Sequence, residues 1–408
     1  MPARHVTRTL NKKNMQLNTL LGLMLTFNLA FGQTQQITRL DGSKISVVEI
    51  DNTVNRLMDR ANVQGLSLSI LNKNQQAYLK TYGFKNIDKN EYLDASTVLY
   101  AASFSKAVFG YLTMKLAQEK VVDLDKPLYN YLSKPIEAYE YFSDLKSDDR
   151  WKLITARMCL SHTTGLPNVR WLHPTTGVLD TLGVMKIYFT PGQKYAYSGE
   201  GIKLLQLVIE EITKQSVEEL AIEKIFKPIG MTRTGYIWYD RFDDNYATGH
   251  LADNTLNPKK KRTTPVAGGS LVTTITDYTR FIEYLMQQKG LDKRIFKEMI
   301  SPQIEILSKT QFPSITEETT TENKAINLSY GLGWGLLKCP YGRAFFKEGH
   351  DDAWRNYNIN FIDKGISIII ITNSANGEFI FKELLETLIG DTFTPWKWEG
   401  YFPIDYQK

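Results

Sequence analysis

The chain reads as an α+β protein: one antiparallel sheet built from both ends of the sequence, flanked by helices, with a mostly helical region inserted between. Three observations predict this. Early in the chain, Leu66, Leu68 and Ile70 alternate with Ser67 and Ser69, the period-two pattern of a strand. Late in the chain, two apolar runs flank Asp363-Lys364-Gly365, a hairpin signal. Between them, apolar residues recur at helical spacing. The sheet is expected over about 40–100 and 326–408, and the helical region over about 104–325, within a single domain spanning 33–408.

The elements follow in order. Arg4, Arg8, Lys12 and Lys13 precede an apolar run from Leu20 to Phe31, with the small residues Ala30 and Gly32 at its exit. This is the pattern of a cleavable signal peptide over about residues 1–32, and the run is short for a spanning helix, which needs about 20 residues. The mature chain is therefore expected in the periplasm or outside the cell, without a membrane span. Leu66 to Ile70 is the first strand, Asn72-Lys73-Asn74 a turn, and Gln75 to Tyr82 the returning strand. Lys106 to Gln118 is a helix carrying Val108, Leu112 and Leu116, and Ile202 to Thr213 a second, amphipathic one. Ser216 with Glu219 forms a capping box for a third, which Pro228 ends. Asp277 opens a fourth, from Tyr278 to about Gln288. Tyr357 to Ile362 and Ile366 to Thr372 are the late hairpin, and Phe379 to Ile389 the last helix.

Composition removes several functions. The net charge of +5 arises from the leader: without its four cations, 45 of the 49 basic residues face 44 acidic ones. A nearly neutral mature chain has no electrostatic case for nucleic acid. The basic run Lys259-Lys260-Lys261-Arg262 reads as a solvated loop. Two cysteines, Cys159 and Cys339, form no C-x-x-C and read as buried free thiols. No His pair, Walker loop, dinucleotide-binding glycine fingerprint or G-x-S-x-G elbow is present.

The positive signal is Ser-x-x-Lys, which occurs at Ser103–Lys106 and at Ser143–Lys146. Only the first follows an apolar approach and opens an apolar helix. Residues i and i+3 share a helix face, so the Lys106 amine can point at the Ser103 hydroxyl. A serine hydroxyl needs such a base near neutral pH. Burial and a nearby positive helix end would lower the lysine pKa toward that task.

With these residues in view, the sequence resembles the serine β-lactamase and penicillin-binding protein superfamily, most of all its class C-type branch. Ala102-Ser103-Phe104-Ser105-Lys106 matches the first motif. Leu160-Ser161-His162-Thr163-Thr164-Gly165-Leu166-Pro167 and Pro191-Gly192-Gln193-Lys194-Tyr195-Ala196-Tyr197-Ser198 match the following landmarks. Phe226 to Met231, Ala267 to Leu271 and Tyr330 to Gly335 continue in the family's order. The resemblance implies the β-lactamase/transpeptidase-like fold. It also implies Ser103 as acylated nucleophile, Lys106 as base or electrostatic partner, and Tyr197 as proton shuttle, with its phenolate favoured by Lys106 and His350. The third motif, K/H-x-G, is read as starting at His350, which makes the N–H groups of Ser103 and Ala353 the oxyanion hole. Two departures stand out. The second motif, Y-x-N, ends in Gly199, and family members use that asparagine to hold the substrate amide and the motif lysine. Asp352 falls where the third motif has glycine.

The resemblance thus implies an exported serine hydrolase acting on an amide, peptide, ester or lactam, from a small molecule to a peptidoglycan-type peptide. A D,D-carboxypeptidase, a D-aminopeptidase, an esterase and a non-hydrolytic penicillin-binding or sensor protein stay open beside a true β-lactamase, and so does the oligomeric state. Ser-Lys-Tyr chemistry requires no cofactor and no metal.

Overall fold

The computed structural model describes residues 35 to 406, and the expected signal peptide lies outside them. A short antiparallel strand pair, Gln36–Thr38 with Lys44–Ser46, precedes helix α1 (Val47–Ala61), which is started by a capping box of Ser46 and Glu49 that the sequence reading passed over. Strands β1 (Gly65–Asn72) and β2 (Gln75–Asn86) form the expected hairpin, followed by the short β3 (Glu91–Tyr92). Helix α2 is Phe104–Gln118, α3 Gly199–Thr213 and α4 Ile275–Met286. The chain then returns to strands: β4 (Ile304–Glu305), β5 (Ser329–Tyr330), β6 (Gly335–Cys339), β7 (Gly342–Asp351), β8 (Trp354–Phe361) and β9 (Ile366–Thr372). Helix α5 (Phe381–Ile389) follows them. The nine strands form one sheet in the order β4-β5-β6-β7-β8-β9-β1-β2-β3, antiparallel throughout. The α+β architecture built from both chain ends is as expected, with β1 and β9 paired in its interior.

Two local expectations change. The serines of β1 do not face water: Ser67 and Ser69 are fully buried, opposite Ile371 and Ile369 of β9. That face of the sheet is covered by α4, whose Ile275, Phe281, Ile282 and Leu285 share a core cluster with Ile369 and Ile371. The other face packs on α1 and α5 through Ile50, Val54, Leu57, Leu384 and Leu388. An interior strand is covered on both sides, so its alternation separates large from small residues rather than core from solvent. Helix α2 is likewise buried almost all round, from Phe104 to Leu116; it runs through the core of the helical region. Helix α4 starts three residues earlier than expected, because Thr274 caps it by accepting the Asp277 N–H. Cys159 and Cys339 are both buried and free.

Candidate active site

Ser103 stands at the entrance to α2. The residue before it, Ala102, has a left-handed backbone with φ +47°, which costs on the order of 1–3 kcal/mol for a residue with a Cβ. Its surroundings enforce the turn. Ala101 N–H donates to the Leu271 carbonyl (3.0 Å), and the Ser105 hydroxyl donates to the Ala102 carbonyl (2.5 Å) while accepting the Leu271 N–H (3.0 Å). The Ser103 hydroxyl caps nothing. It instead accepts a hydrogen bond from Lys106 Nζ at 3.0 Å. The same amine donates to the Gly268 carbonyl at 2.6 Å. Lys106 is 4 % exposed. Burial, then the neighbouring Lys347 cation, lower its pKa to about 7, with Glu348 opposing. The rival pair differs on every count: Ser143 donates to the Glu140 carbonyl and Lys146 is exposed.

Tyr197 is buried beside this pair, with Lys106 Nζ 4.9 Å from its ring centroid. Its hydroxyl accepts from Lys347 Nζ at 3.1 Å, and Lys347 donates to Glu348 Oε1 at 2.5 Å. Burial and the Glu348 charge raise the Tyr197 pKa well above 10, against a hydrogen bond with Ser103 that lowers it. This burial opposes the expected phenolate. The His350 imidazole is about half exposed and lies 3.5 Å from Glu378 Oε2, with partial desolvation and Arg355 lowering its pKa. The fully buried Lys347 is the cation that touches the Tyr197 hydroxyl.

Strand β7 explains the substitution. Asp351 pairs with Trp354, so Asp352 and Ala353 are the two-residue connection between β7 and β8. Asp352 lines a separate small cavity with Lys259, Arg262 and Trp354, and Ala353 is buried in the core. Neither reaches the space around Ser103. Three residues earlier, Gly349 passes so close to the Ser103 approach that a Cβ on it would lie 2.7 Å from the Ala101 carbonyl. The K-x-G pattern is met by Lys347-Glu348-Gly349, three residues upstream of the reading that began at His350.

Two cavities flank Ser103, and Ser103, Asn168 and His350 line both. One, of about 410 Å³, is walled by Tyr197, Phe312, Glu348 and Glu399. The other, of about 340 Å³, is walled by Lys106, Tyr141, Trp171, Gly199, Lys203 and Gly268. Gly199 begins α3 after the Ser198 cap, and its N–H donates to Asn168 Oδ1 at 3.1 Å. Glu200 is buried and held by the Tyr141 hydroxyl and the Arg170 N–H. His162, the histidine of the Ser-His-Thr-Thr-Gly segment, accepts the Ser198 N–H on Nδ1 at 3.2 Å and packs at a tilt against Tyr197, with ring centroids 4.3 Å apart. It positions the tyrosine segment. Among the described residues no cluster of His, Cys, Asp and Glu could hold a metal ion.

The family model described as Beta-lactamase matches residues 50–388. The chain belongs to the Beta-lactamase family. Protein flp of Staphylococcus aureus (strain COL) is 26 % identical over 201 residues, 46 % of this chain and 38 % of that protein. The chain thus spans under two fifths of that relative's length. Among solved structures, the octameric penicillin-binding protein homologue from Pyrococcus abyssi superposes with a TM-score of 0.66 at 18 % identity, covering 85 % of this chain and 79 % of that one. The D-alanine carboxypeptidase AmpC from Burkholderia cenocepacia gives 0.65 at 17 % identity, covering 84 % and 100 %. Both show the β-lactamase/transpeptidase-like fold.

Of the residues expected at the β-lactamase-family site, Ser103, Lys106, Tyr197, Gly199 and His350 come together; Asp352 and Ala353 do not. Sequence reasoning missed Lys347, Glu348, Gly268 and Asn168. A signal existed for two of them, since Lys347-Glu348-Gly349 already spells K-x-G. Gly268 and Asn168 carried a weaker one: Gly268 lies within the Ala267–Leu271 landmark and Asn168 directly follows the Leu160–Pro167 segment.

Proposed function

We propose that Ser103 is the nucleophile of an acyl-transfer reaction and that the protein hydrolyses an amide, peptide, ester or lactam through an acyl-enzyme. The observation that carries this is the contact of Lys106 Nζ with Ser103 Oγ at 3.0 Å, with the amine's pKa at about 7. Neutral Lys106 takes the Ser103 proton as the bond from Oγ to the substrate carbonyl carbon forms. The two-residue connection makes Asp351 and Trp354 the hydrogen-bonded closing pair of their hairpin, so by alternation the His350 N–H points to the other edge of β7. β6 covers that edge only as far as Phe346. The N–H groups of Ser103 and His350 are thus the proposed donors to the developing oxyanion. Tyr197 gives its proton to the leaving group as the bond from the carbonyl carbon to that group breaks and the carbonyl re-forms, and Lys347 restores it. Water then attacks the ester by the same path in reverse, returning each proton to its owner. The 410 Å³ cavity, beside Tyr197, takes the leaving group, and the 340 Å³ cavity takes the acyl group.

Export to the periplasm or beyond is part of this proposal, supported by the leader pattern; among the described residues no helix is long and apolar enough to cross a membrane. The substrate is a small molecule or a peptidoglycan-type peptide. Gly199, in place of the second-motif asparagine, supports a second reading: a penicillin-binding or sensor protein that acylates and stays acylated. Intact-protein mass spectrometry after exposure to a fluorophosphonate, a penicillin and a cephalosporin separates them. An adduct on the wild type and none on Ser103→Ala is expected. Adduct decay marks a hydrolase, persistence marks a trap, and no adduct with any reagent overturns both.

A further inference from the structure

The two cavities beside Ser103 differ in charge. The 340 Å³ cavity presents Lys203 and Arg262 beside Lys106, against the single acid Glu200. The 410 Å³ cavity presents Glu348, Glu378 and Glu399, with no lysine or arginine on its wall. Glu378 is answered from behind by Arg355, 2.6 Å away. The other two are answered on one oxygen each. Glu348 Oε1, on β7, accepts from Lys347 at 2.5 Å and from Gln311 at 3.1 Å. Glu399 Oε1, from the segment after α5, accepts the Tyr357 hydroxyl at 3.2 Å. Their second oxygens, Glu348 Oε2 and Glu399 Oε2, have no hydrogen-bond partner among the described residues, and neither does the Tyr401 hydroxyl on the same wall. All three side chains are more than nine-tenths buried. Leaving such groups unpaired in the interior is costly, and three of them on one cavity wall call for a partner that the substrate brings. Aromatic rings border the same space: Tyr197 and Phe312 stand 5.5 Å apart between centroids, and ring faces attract a cation.

We propose that this cavity binds a cationic leaving group, an alcohol, thiol or amine carrying an ammonium group a few carbons from the scissile bond, held by Glu348 and Glu399. The proposal rests on Ser103 being the acylated residue and deepens that reading by naming one half of the substrate. Burial, then the Glu348 charge, hold the Glu399 carboxyl well above its usual range. In the resting protein Glu399 therefore keeps a proton, which leaves to solvent when a cation takes its place. The same acids disfavour a leaving group that ends in a carboxylate.

The test uses three thioesters with the same acetyl group and the same two-carbon spacer. Acetylthiocholine carries a trimethylammonium group, S-(3,3-dimethylbutyl) thioacetate its neutral isostere, and S-acetyl-3-mercaptopropionate a carboxylate. The readout is the second-order rate of thiol release in the first turnover, divided by each ester's rate with hydroxide, so that a hydrolase and a trap are both read. In wild type the cationic ester should lead the neutral one by about tenfold or more, with the anionic one last. Glu399→Gln copies the protonated carboxyl, keeps an acceptor for Tyr357 and cannot take on the charge; it should lower the cation-to-neutral ratio about fivefold or more. Glu348→Gln should lower it in the same direction, and its effect on Lys106 is common to all three esters and cancels in the ratio. Glu399→Gln carries the test should Glu348→Gln fail to fold. A ratio near one in wild type, or one that neither variant changes, overturns the proposal; with Ser103 still labelled by a fluorophosphonate, the serine hydrolase reading stands. Should none of the esters react, choline and 3,3-dimethylbutan-1-ol as competitors of that labelling make the same comparison: choline about tenfold the more potent is the expected result, and equal potency overturns the proposal. A wild type that no fluorophosphonate labels overturns both readings.

Discussion

Replacing Lys347 by methionine tests the electrostatics of the site in a way that needs no knowledge of the substrate. Lys106 serves as base only when neutral. With its pKa at about 7, the neutral fraction grows through that pH, so the rate of Ser103 labelling by a fluorophosphonate should climb with pH and level off above it. Part of the lowering is repulsion from Lys347. Both amines lie 4.9 Å from the centroid of the same Tyr197 ring. They are therefore no more than about 10 Å apart, and at an effective dielectric of about 20 that repulsion is worth about 1.7 kcal/mol or more. Divided by 1.36 kcal/mol per unit, it is somewhat over one pKa unit. Lys347→Met removes it, and it also frees Glu348 from its 2.5 Å partner, which adds an attraction of the same sign. Both changes favour the charged form of Lys106. The limb should move from about 7 to about 8 or higher, and Lys347→Met/Glu348→Gln should fall between the two. The assay is the second-order labelling rate from pH 5.5 to 9.5, read by intact mass. A limb that stays at about 7 in the single variant, or moves down, refutes the coupling and the place given to Lys347.

Three further outcomes are expected. Gly349→Ala pushes a methyl against the Ala101 carbonyl at 2.7 Å and should cut labelling more than tenfold, whereas Asp352→Gly, at the hairpin tip, should leave it within about twofold; the reverse order would restore the third motif to His350. Lys106→Met should abolish labelling yet hold or raise the melting temperature at pH 7, because it takes an amine out of a site that disfavours its charge; a clear drop in melting temperature would contradict this. His350→Gln should change labelling by less than about threefold, since only its main-chain N–H is assigned a role. A loss comparable to that of Lys106→Met would instead favour a histidine-based triad.

What the sequence made legible was mostly local. Ser103 and Lys106 sit one helical turn apart, so their contact needs only that α2 begin where it does. The Asp363-Lys364-Gly365 hairpin and the capping box at Ser216 are also decided within a few residues. The third motif was harder because two overlapping patterns compete, and what separates them is where β7 ends. Only the pairing of Asp351 with Trp354 puts Asp352 in the connection and Gly349 on the strand beside Ala101. Ser67 and Ser69 follow the same logic, because their alternation is legible but the second covering layer, α4, is remote in sequence. Tyr197 lies beside Lys106, and its surroundings push its pKa up rather than down. Proximity to cations suggests a phenolate, but the depth of burial that opposes it is a property of the packed core. The meeting of Asn168 with the Gly199 N–H is the extreme case, since neither residue signals the other along the chain.

The position of the seam between the two chain ends has a consequence for how the protein is made. Leu71 of β1 lies opposite Ser367 of β9, and Leu66 opposite Thr372. This pairing is internal to the sheet, so during synthesis β1 waits with one edge bare until nearly the whole polypeptide has emerged. Such long-range pairing slows folding, and a bare edge invites pairing with the wrong chain. A nascent protein that cannot close its sheet early also stays threadable, which suits translocation before folding. The same geometry makes the C-terminus indispensable. Cutting the chain before Ile366 would remove an interior strand, not trim an edge, and would divide the sheet into a β1–β3 fragment and a β4–β8 fragment with no strand to join them.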